Sequence, residues 1–311
     1  MSQSPPRLSP TGPPAPIAAR IGELGAVLDM RATHELYDPL LAQQERAGVE
    51  IQRDLAYGSD ARQRLDVYRP RPGPTSAPVL LVFPGGGFIR GDKAERENAG
   101  LRFARAGFIT LVANYRLAPT HPWPAGAEDV VGALSWAAAH GAEHGGDARR
   151  IWLLGESAGA AHVATAALLR RFHPSGGPPG RLPIAGAVLV SGVYDVQLER
   201  LARRQFRVPS PDPRNEAYFG SNFALYPTRS VVELIDASPF PLLITYAELD
   251  LLPMQVQAGE LFARLVTRHG FNPDLEVIRG HNHLTQVFAI NTGDERLSAP
   301  VLDFIGRHEP T

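Results

Sequence analysis

The sequence predicts an α/β protein, with a mostly parallel central sheet flanked by helices and a small helical cap. Three observations carry that prediction. Short unbroken apolar runs, "APVLLVF" and "IAGAVLV" among them, have the composition of strands covered on both faces. Helix-like segments alternate with such strands along most of the chain. Two earlier runs, "VEIQRDLAYG" and "QRLDVYRP", alternate apolar and polar residues instead. That is the pattern of half-buried antiparallel strands, and it fits an edge extension of the same sheet.

The elements follow in order. Met1 to about Pro16 is rich in proline and serine and is expected to be a disordered tail. A single domain is expected from residue 17 to 311. It begins with one or two helices over about 17–47, with Pro39 near the start of the second. After the antiparallel pair and "APVLLVF", a helix over Lys93 to Arg105 precedes the strand "FITLVAN". A helix over Gly126 to His140 precedes "RIWLLG", and a helix from about Ser157 precedes "IAGAVLV". The strand "PLLITYAE", a helix over Pro253 to His269, the strand "LEVIRG" and a helix over Ala299 to Arg307 complete the series. Between Asp195 and Ser238 the rhythm breaks into prolines and aromatics with no clean strand. So long a connection suggests a functional insertion, and a small helical cap over about 196–237 is expected. No internal repeat is visible.

Composition narrows the function. The 311 residues are 44% hydrophobic and 20% charged, with a net charge of −1. That is ordinary globular composition, with no electrostatic pull toward nucleic acid or anionic lipid. No cysteine is present, so disulfides, thiol chemistry and cysteine metal sites are excluded. The first twenty residues have no apolar core of the secretory kind, and no run approaches the roughly 18 apolar residues of a membrane span. A soluble, cytoplasmic protein is expected.

Three motifs carry chemistry. "GESAG", Gly155 to Gly159, lies between a hydrophobic strand and a probable helix. A sharp strand-to-helix turn there would expose Ser157 as a nucleophile, and the flanking glycines would let strand and helix approach closely. The bland alternative is a glycine-lined turn in which the serine caps the helix. "FPGGGFIRGD", Phe83 to Asp92, places three glycines after a buried strand. Their unobstructed N–H groups could hold an oxyanion. A phosphate loop is not indicated, because Gly91-Asp92-Lys93 lacks the Gly-Lys-Ser/Thr ending. A nucleophilic serine needs a base, and the base needs an orienting acid. Asp250 follows the strand "PLLITYAE" and is preferred to Glu248 because it lies further into the loop; Asp195 is the other candidate. His281 and His283 follow the next strand, and both remain open as the base. The spacing His-x-His is also a metal-ligand pattern. No carboxylate or cysteine cluster accompanies it, so neither metal nor cofactor is expected.

With these residues in hand, the chain resembles the hormone-sensitive-lipase-like esterase group of α/β-hydrolases. It also resembles the neighbouring arylformamidase-like and feruloyl/acetyl-xylan esterase-like hydrolases. The likeness covers roughly Val49 to Arg307. Its most specific parts are the serine turn, the glycine loop and "ANYRLAPTHPWPAGAEDV". The resemblance implies the α/β-hydrolase fold and a Ser-Asp-His triad of Ser157, Asp250 and His283. It favours His283 because the family histidine usually follows Asp or Asn, as in Asn282-His283. It places the oxyanion hole at the backbone N–H groups of Gly86, Gly87 and Ala158. Three departures stand out: Pro84 replaces the histidine that usually opens the glycine loop, Glu156 replaces a frequent aspartate, and Leu251-Leu252 follow Asp250 in place of Pro-Leu. They tilt the resemblance slightly toward the arylformamidase-like side.

The function expected is hydrolysis of short- to medium-chain or aryl carboxylic esters. The alternatives are an amidase acting on N-formyl aromatic amines and a non-catalytic ligand-binding protein on the same fold. Phe88, Phe219 and Phe223 are the candidate substrate-binding residues. Phe206, Tyr218 and Tyr226 could help them wall an apolar pocket. The partner expected is a small-molecule ester, with no nucleic acid and no membrane span; a homodimer is left open.

Overall fold

A computed structural model describes residues 11–175, 180, 182–205 and 212–309. The elements are α1 Ala15–Leu24, α2 Met30–Leu41, β1 Val49–Ala56, β2 Arg64–Pro70, β3 Ala77–Phe83, α3 Glu97–Arg105, β4 Ile109–Ala113 and α4 Ala125–His140. They continue with β5 Gly146–Glu156, α5 Ala158–Leu168, β6 Gly186–Val190, α6 Val196–Gln205, α7 Pro213–Phe219 and α8 Val231–Leu234. The last are β7 Leu242–Leu249, α9 Leu252–His269, β8 Asp274–Asn282, α10 Thr285–Phe288 and α11 Ser298–His308.

The strands form one eight-stranded sheet in the order β1-β2-β4-β3-β5-β6-β7-β8. The first two junctions, β1 with β2 and β2 with β4, are antiparallel, and every other junction is parallel. Alternation along β3 shows why its sequence is apolar without a break. Val79, Leu81 and Phe83 enter the core cluster shared with α4, α5 and α9, while Leu80 and Val82 enter the cluster shared with α1, α3 and α11. Successive side chains of a strand point to opposite faces, so a strand covered on both must be apolar at each position. Each such Leu, Val or Phe removed from water contributes about 1.5–3 kcal/mol before entropy is counted.

The N-terminal helices depart from expectation in two details. Helix α1 starts at Ala15, inside the segment expected to be a tail, and Thr11 O accepts a hydrogen bond from Glu295 N at 2.8 Å. The rest of that segment, residues 1–10, lies outside the described residues. Helix α2 starts at Met30, where Asp29 Oδ1 accepts from Ala32 N at 2.9 Å, so Pro39 falls in its last turn and not near its start. Asp29 is a strong N-cap, and a proline pattern alone does not outrank it.

Among the described residues from Ser191 to Pro241, none joins the sheet; they form α6, α7, two short 3-10 turns and α8. Tyr218 and Phe219 of α7 pack with Phe88 and Ala158 in a third, smaller cluster, which fastens the insertion to the C-terminal edge of the sheet. Among the described residues no helix is long and apolar enough to cross a membrane.

Candidate active site

Parallel strands all end on one edge of the sheet, and there the loops after β3, β5, β6, β7 and β8 converge. Open α/β sheets offer their ligand crevice along that edge.

At the end of β5 the chain turns so tightly that Ser157 takes φ 50° and ψ −114°. A non-glycine residue in that region is strained, and such strain persists only where the surroundings impose it. The surroundings are specific. Ser157 N donates to Val190 O at 2.8 Å, and a side chain at position 159 would place its Cβ 2.2 Å from Phe83 O. Gly159 is therefore required by close approach, as expected. Ser157 makes no side-chain capping bond to α5, so the bland reading of this serine does not hold. Its Oγ instead lies 3.0 Å from His283 Nε2, and His283 Nδ1 lies 2.8 Å from Asp250 Oδ1.

The structure thus brings Ser157, His283 and Asp250 into one hydrogen-bonded line. The competing residues lie elsewhere. Glu248 bonds Arg279 and Gly280 N at the surface. Asp195 accepts from Ser230 Oγ and Gln197 N. His281 is buried, with Thr285 Oγ1 at 3.2 Å from Nδ1 and Asp294 Oδ2 at 3.0 Å from Nε2. Burial works against a charged His283, but the adjacent Asp250 carboxylate outweighs it, and the imidazole pKa is raised above the ordinary 6.5. More distant Glu156 adds to the rise and Arg214 opposes it.

The glycine loop stands over this line. Gly86 has φ 144°, and a Cβ there would lie 2.0 Å from Arg90 O, because the loop folds back to let Arg90 N donate to Gly86 O. Only glycine fits such a turn. Gly86 and Gly87 line the same cavity as Ser157 and His283. Ala158 is the first residue of α5, so its N–H has no acceptor within the helix and sits at the positive end of the helix dipole. Pro84, in the place of the usual family histidine, is itself part of the loop's support: its carbonyl accepts from Tyr115 Oη at 2.9 Å.

Glu156 does not face solvent. It forms a buried, two-pronged ion pair with Arg96, whose guanidinium also lies over the Phe288 ring at 5.0 Å. Burial opposes the Arg96 charge, and Glu156 overcomes that penalty and raises the Arg96 pKa. This pair ties the serine turn to the segment before α3.

The cavity at Ser157 holds about 220 Å³. Its wall corrects the substrate-binding expectation. Phe88, Phe219 and Phe223 do not line it; Leu28, Met30, Leu284, Arg90 and Arg214 do. The reason is mutual packing. Phe88 stacks on Tyr218 at 4.7 Å and meets Phe219 edge-on at 5.1 Å, while Phe223 turns its edge to Tyr226 at 5.2 Å. Aromatic faces that satisfy one another leave little to offer a ligand. Phe206 lies outside the described residues. The apolar wall comes instead from Leu28 in the turn between α1 and α2, Met30 at the start of α2 and Leu284 after β8.

A family model described as an alpha/beta hydrolase fold matches residues 80–287. Esterase LipC of Mycobacterium tuberculosis is 42% identical over 118 residues, which are 37% of this chain and 29% of that protein. The probable carboxylic ester hydrolase LipM of the same organism is 32% identical over 222 residues, 66% of this chain and 50% of that protein. The aligned part of the chain thus spans half or less of these curated relatives. A solved esterase of the bacterial hormone-sensitive lipase family is 26% identical, with a TM-score of 0.70 over 95% of this chain and 97% of that one. The matched model covers most of the chain, including the serine turn, the glycine loop, Asp250 and His283, and the chain belongs to the α/β-hydrolase family.

Proposed function

We propose that the protein is a carboxylic-ester hydrolase in which Ser157 is the nucleophile. The observation that carries this reading is the unbroken line Ser157 Oγ, His283 Nε2, His283 Nδ1, Asp250 Oδ1, with its hydroxyl end at a cavity and its carboxylate end buried. The naming of relatives such as LipC and LipM as ester hydrolases supports it.

His283 takes the Ser157 proton as Oγ attacks the ester carbonyl. The carbonyl oxygen becomes an oxyanion held by the N–H groups of Gly86, Gly87 and Ala158. His283 then gives its proton to the departing alcohol oxygen, leaving an acyl-Ser157 ester. A water molecule, deprotonated by His283, attacks that ester, and His283 returns the proton to Ser157 Oγ as the acid leaves. Asp250 holds the imidazole in the productive tautomer and balances its charge. The insertion α6–α8 serves as a cap, with Arg214 of α7 reaching the cavity wall. A cavity of about 220 Å³ is smaller than the roughly 300 Å³ at which pockets for larger ligands begin, so short acyl chains are favoured.

The test is hydrolysis of p-nitrophenyl acetate, butyrate, octanoate and laurate by the protein and by Ser157→Ala. The expected result is cleavage weighted to acetate and butyrate, and a loss of roughly a thousandfold or more in the variant. Wild-type rates in Ser157→Ala would overturn the reading.

A further inference from the structure

The geometry points to Ser191 and Gln286 as positioning residues that fix the Asp250 carboxylate for His283. This rests on the ester-hydrolase reading above and adds two residues to it.

Asp250 Oδ1 accepts from His283 Nδ1 and from Leu251 N. The other oxygen, Oδ2, accepts from Ser191 Oγ at 2.5 Å and more distantly from Ala247 N at 3.3 Å. With its one proton given to the carboxylate, Ser191 Oγ can only accept further, and it accepts from Gln286 Nε2 at 2.8 Å. The same Gln286 nitrogen also donates to the carbonyl of His283, at 3.2 Å. One amide thus connects the acid's support to the backbone of the histidine. Ser191, Asp250 and Gln286 are all at most 2% exposed, so water does not compete for these bonds.

Two further observations set Ser191 apart from an ordinary buried serine. Its φ is 49°, close to the 50° of Ser157, and these are the strained ends of adjacent strands β6 and β5. The loop after it is held rigidly. Ser191 N donates to Thr245 O, and Tyr194 N and Asp195 N both donate to Gln257 Oε1 at 2.6 Å. Strain and fixation together aim one hydroxyl at one carboxylate oxygen. Gln286 shows a matching asymmetry. Its Oε1 is buried without a hydrogen-bond partner among the described residues, while its nitrogen makes both bonds. An orphaned acceptor is destabilising, and it is tolerated here because a reversed amide would set oxygen against the His283 carbonyl.

The charged and titratable groups around the pair are Glu156 from β5, Arg214 from α7 and Tyr194 from the loop after β6. The hydrogen bonds to the Asp250 carboxylate come from Ser191, His283, Leu251 N and Ala247 N. Without the Ser191 donor, more of the carboxylate charge faces the imidazole, so protonated His283 is stabilised and the base form appears at higher pH.

The experiment measures kcat, KM and the pH profile of kcat/KM on p-nitrophenyl butyrate for the full chain, Ser191→Gly, Gln286→Met and Ser157→Ala. Glycine accepts the positive φ and removes the Ser191 hydroxymethyl group, and with it the donor to Asp250; methionine keeps the volume of glutamine. The expected result for Ser191→Gly is a fall in kcat of roughly tenfold, an unchanged KM and an acid limb moved to higher pH. Gln286→Met is expected to show the same signature at roughly a third to a fifth of the wild-type kcat. A residue with a merely structural part would lower the amount of folded protein and leave the acid limb in place; folded variants with an unmoved limb overturn the inference. If Ser191→Gly does not fold, Gln286→Met decides alone. An inactive Ser157→Ala beside unchanged Ser191→Gly and Gln286→Met removes only this inference, whereas an active Ser157→Ala removes the hydrolase reading with it.

Discussion

Two buried histidine–aspartate pairs have their histidines two positions apart in the sequence and sit in different surroundings. His281 meets Asp294 at 3.0 Å and His283 meets Asp250 at 2.8 Å. The pairs use opposite ring nitrogens for the carboxylate, Nε2 in His281 and Nδ1 in His283. They differ further in what meets the other ring nitrogen. That of His281 meets Thr285 Oγ1 in the core, while that of His283 meets Ser157 Oγ at the cavity. Strand β8 ends at Asn282, so His281 is still held by the sheet and His283 has entered the turn beyond it. A hydrogen-bonded His–Asp pair is therefore not a site by itself. It becomes one where the chain leaves the strand and one nitrogen faces a reactive group.

The comparison can be broken by cutting each pair in turn. Asp250→Asn is expected to lower kcat by roughly 10³–10⁴, because asparagine favours the wrong imidazole tautomer. Asp294→Asn is expected to leave kcat/KM within about threefold while costing about 1–3 kcal/mol of stability. Steady-state kinetics and urea unfolding of both variants check this. Equal catalytic losses in the two would mean that the pairs are not functionally distinct.

A pH titration sharpens the same contrast. Asp250 holds the pKa of His283 above 6.5, and only neutral His283 can accept a proton from Ser157. Activity should rise as pH increases through that raised value, with a kcat/KM midpoint above 6.5. The stability from the charged pair runs the other way. It is fully present below the ordinary histidine value and is lost as pH rises through the raised one. The protein is thus expected to gain activity over the same window in which it loses that increment. A midpoint at or below the ordinary value would contradict the assigned partner.

The smallest effect concerns the cavity wall. Phe223→Ala is expected to leave the acyl-length profile within about twofold, because the ring packs on Tyr226 outside the cavity. Leu28→Ala should enlarge the wall and shift the profile toward longer chains by about threefold. The octanoate-to-acetate ratio for each variant reports this directly.

Much of the site was legible because its signals are local. Gly-x-Ser-x-Gly needs only five residues to announce a turn, three glycines announce an open loop, and an aspartate past a strand end announces a reachable carboxylate. The partners that complete the site are not local. Arg96 and Glu156 are 60 residues apart, Ser191 and Asp250 are 59, and Gln286 and Ser191 are 95. No periodicity links such pairs. The misplaced aromatics teach the converse: Phe88 and Phe219 have the composition of a pocket wall, but their rings are satisfied by one another and by Tyr218.

By itself, then, the sequence determined the alternation of strand and helix, the doubly covered central strands and the tight turn at Ser157. Each of these follows from side-chain period, backbone sterics and the demand that apolar surface leave water. The tertiary structure alone decided which side chains hold the acid, and that Leu28, Met30 and Leu284 meet at the cavity wall. Those outcomes depend on where strand ends and loops meet in space, and that meeting is set by the packing of the whole sheet.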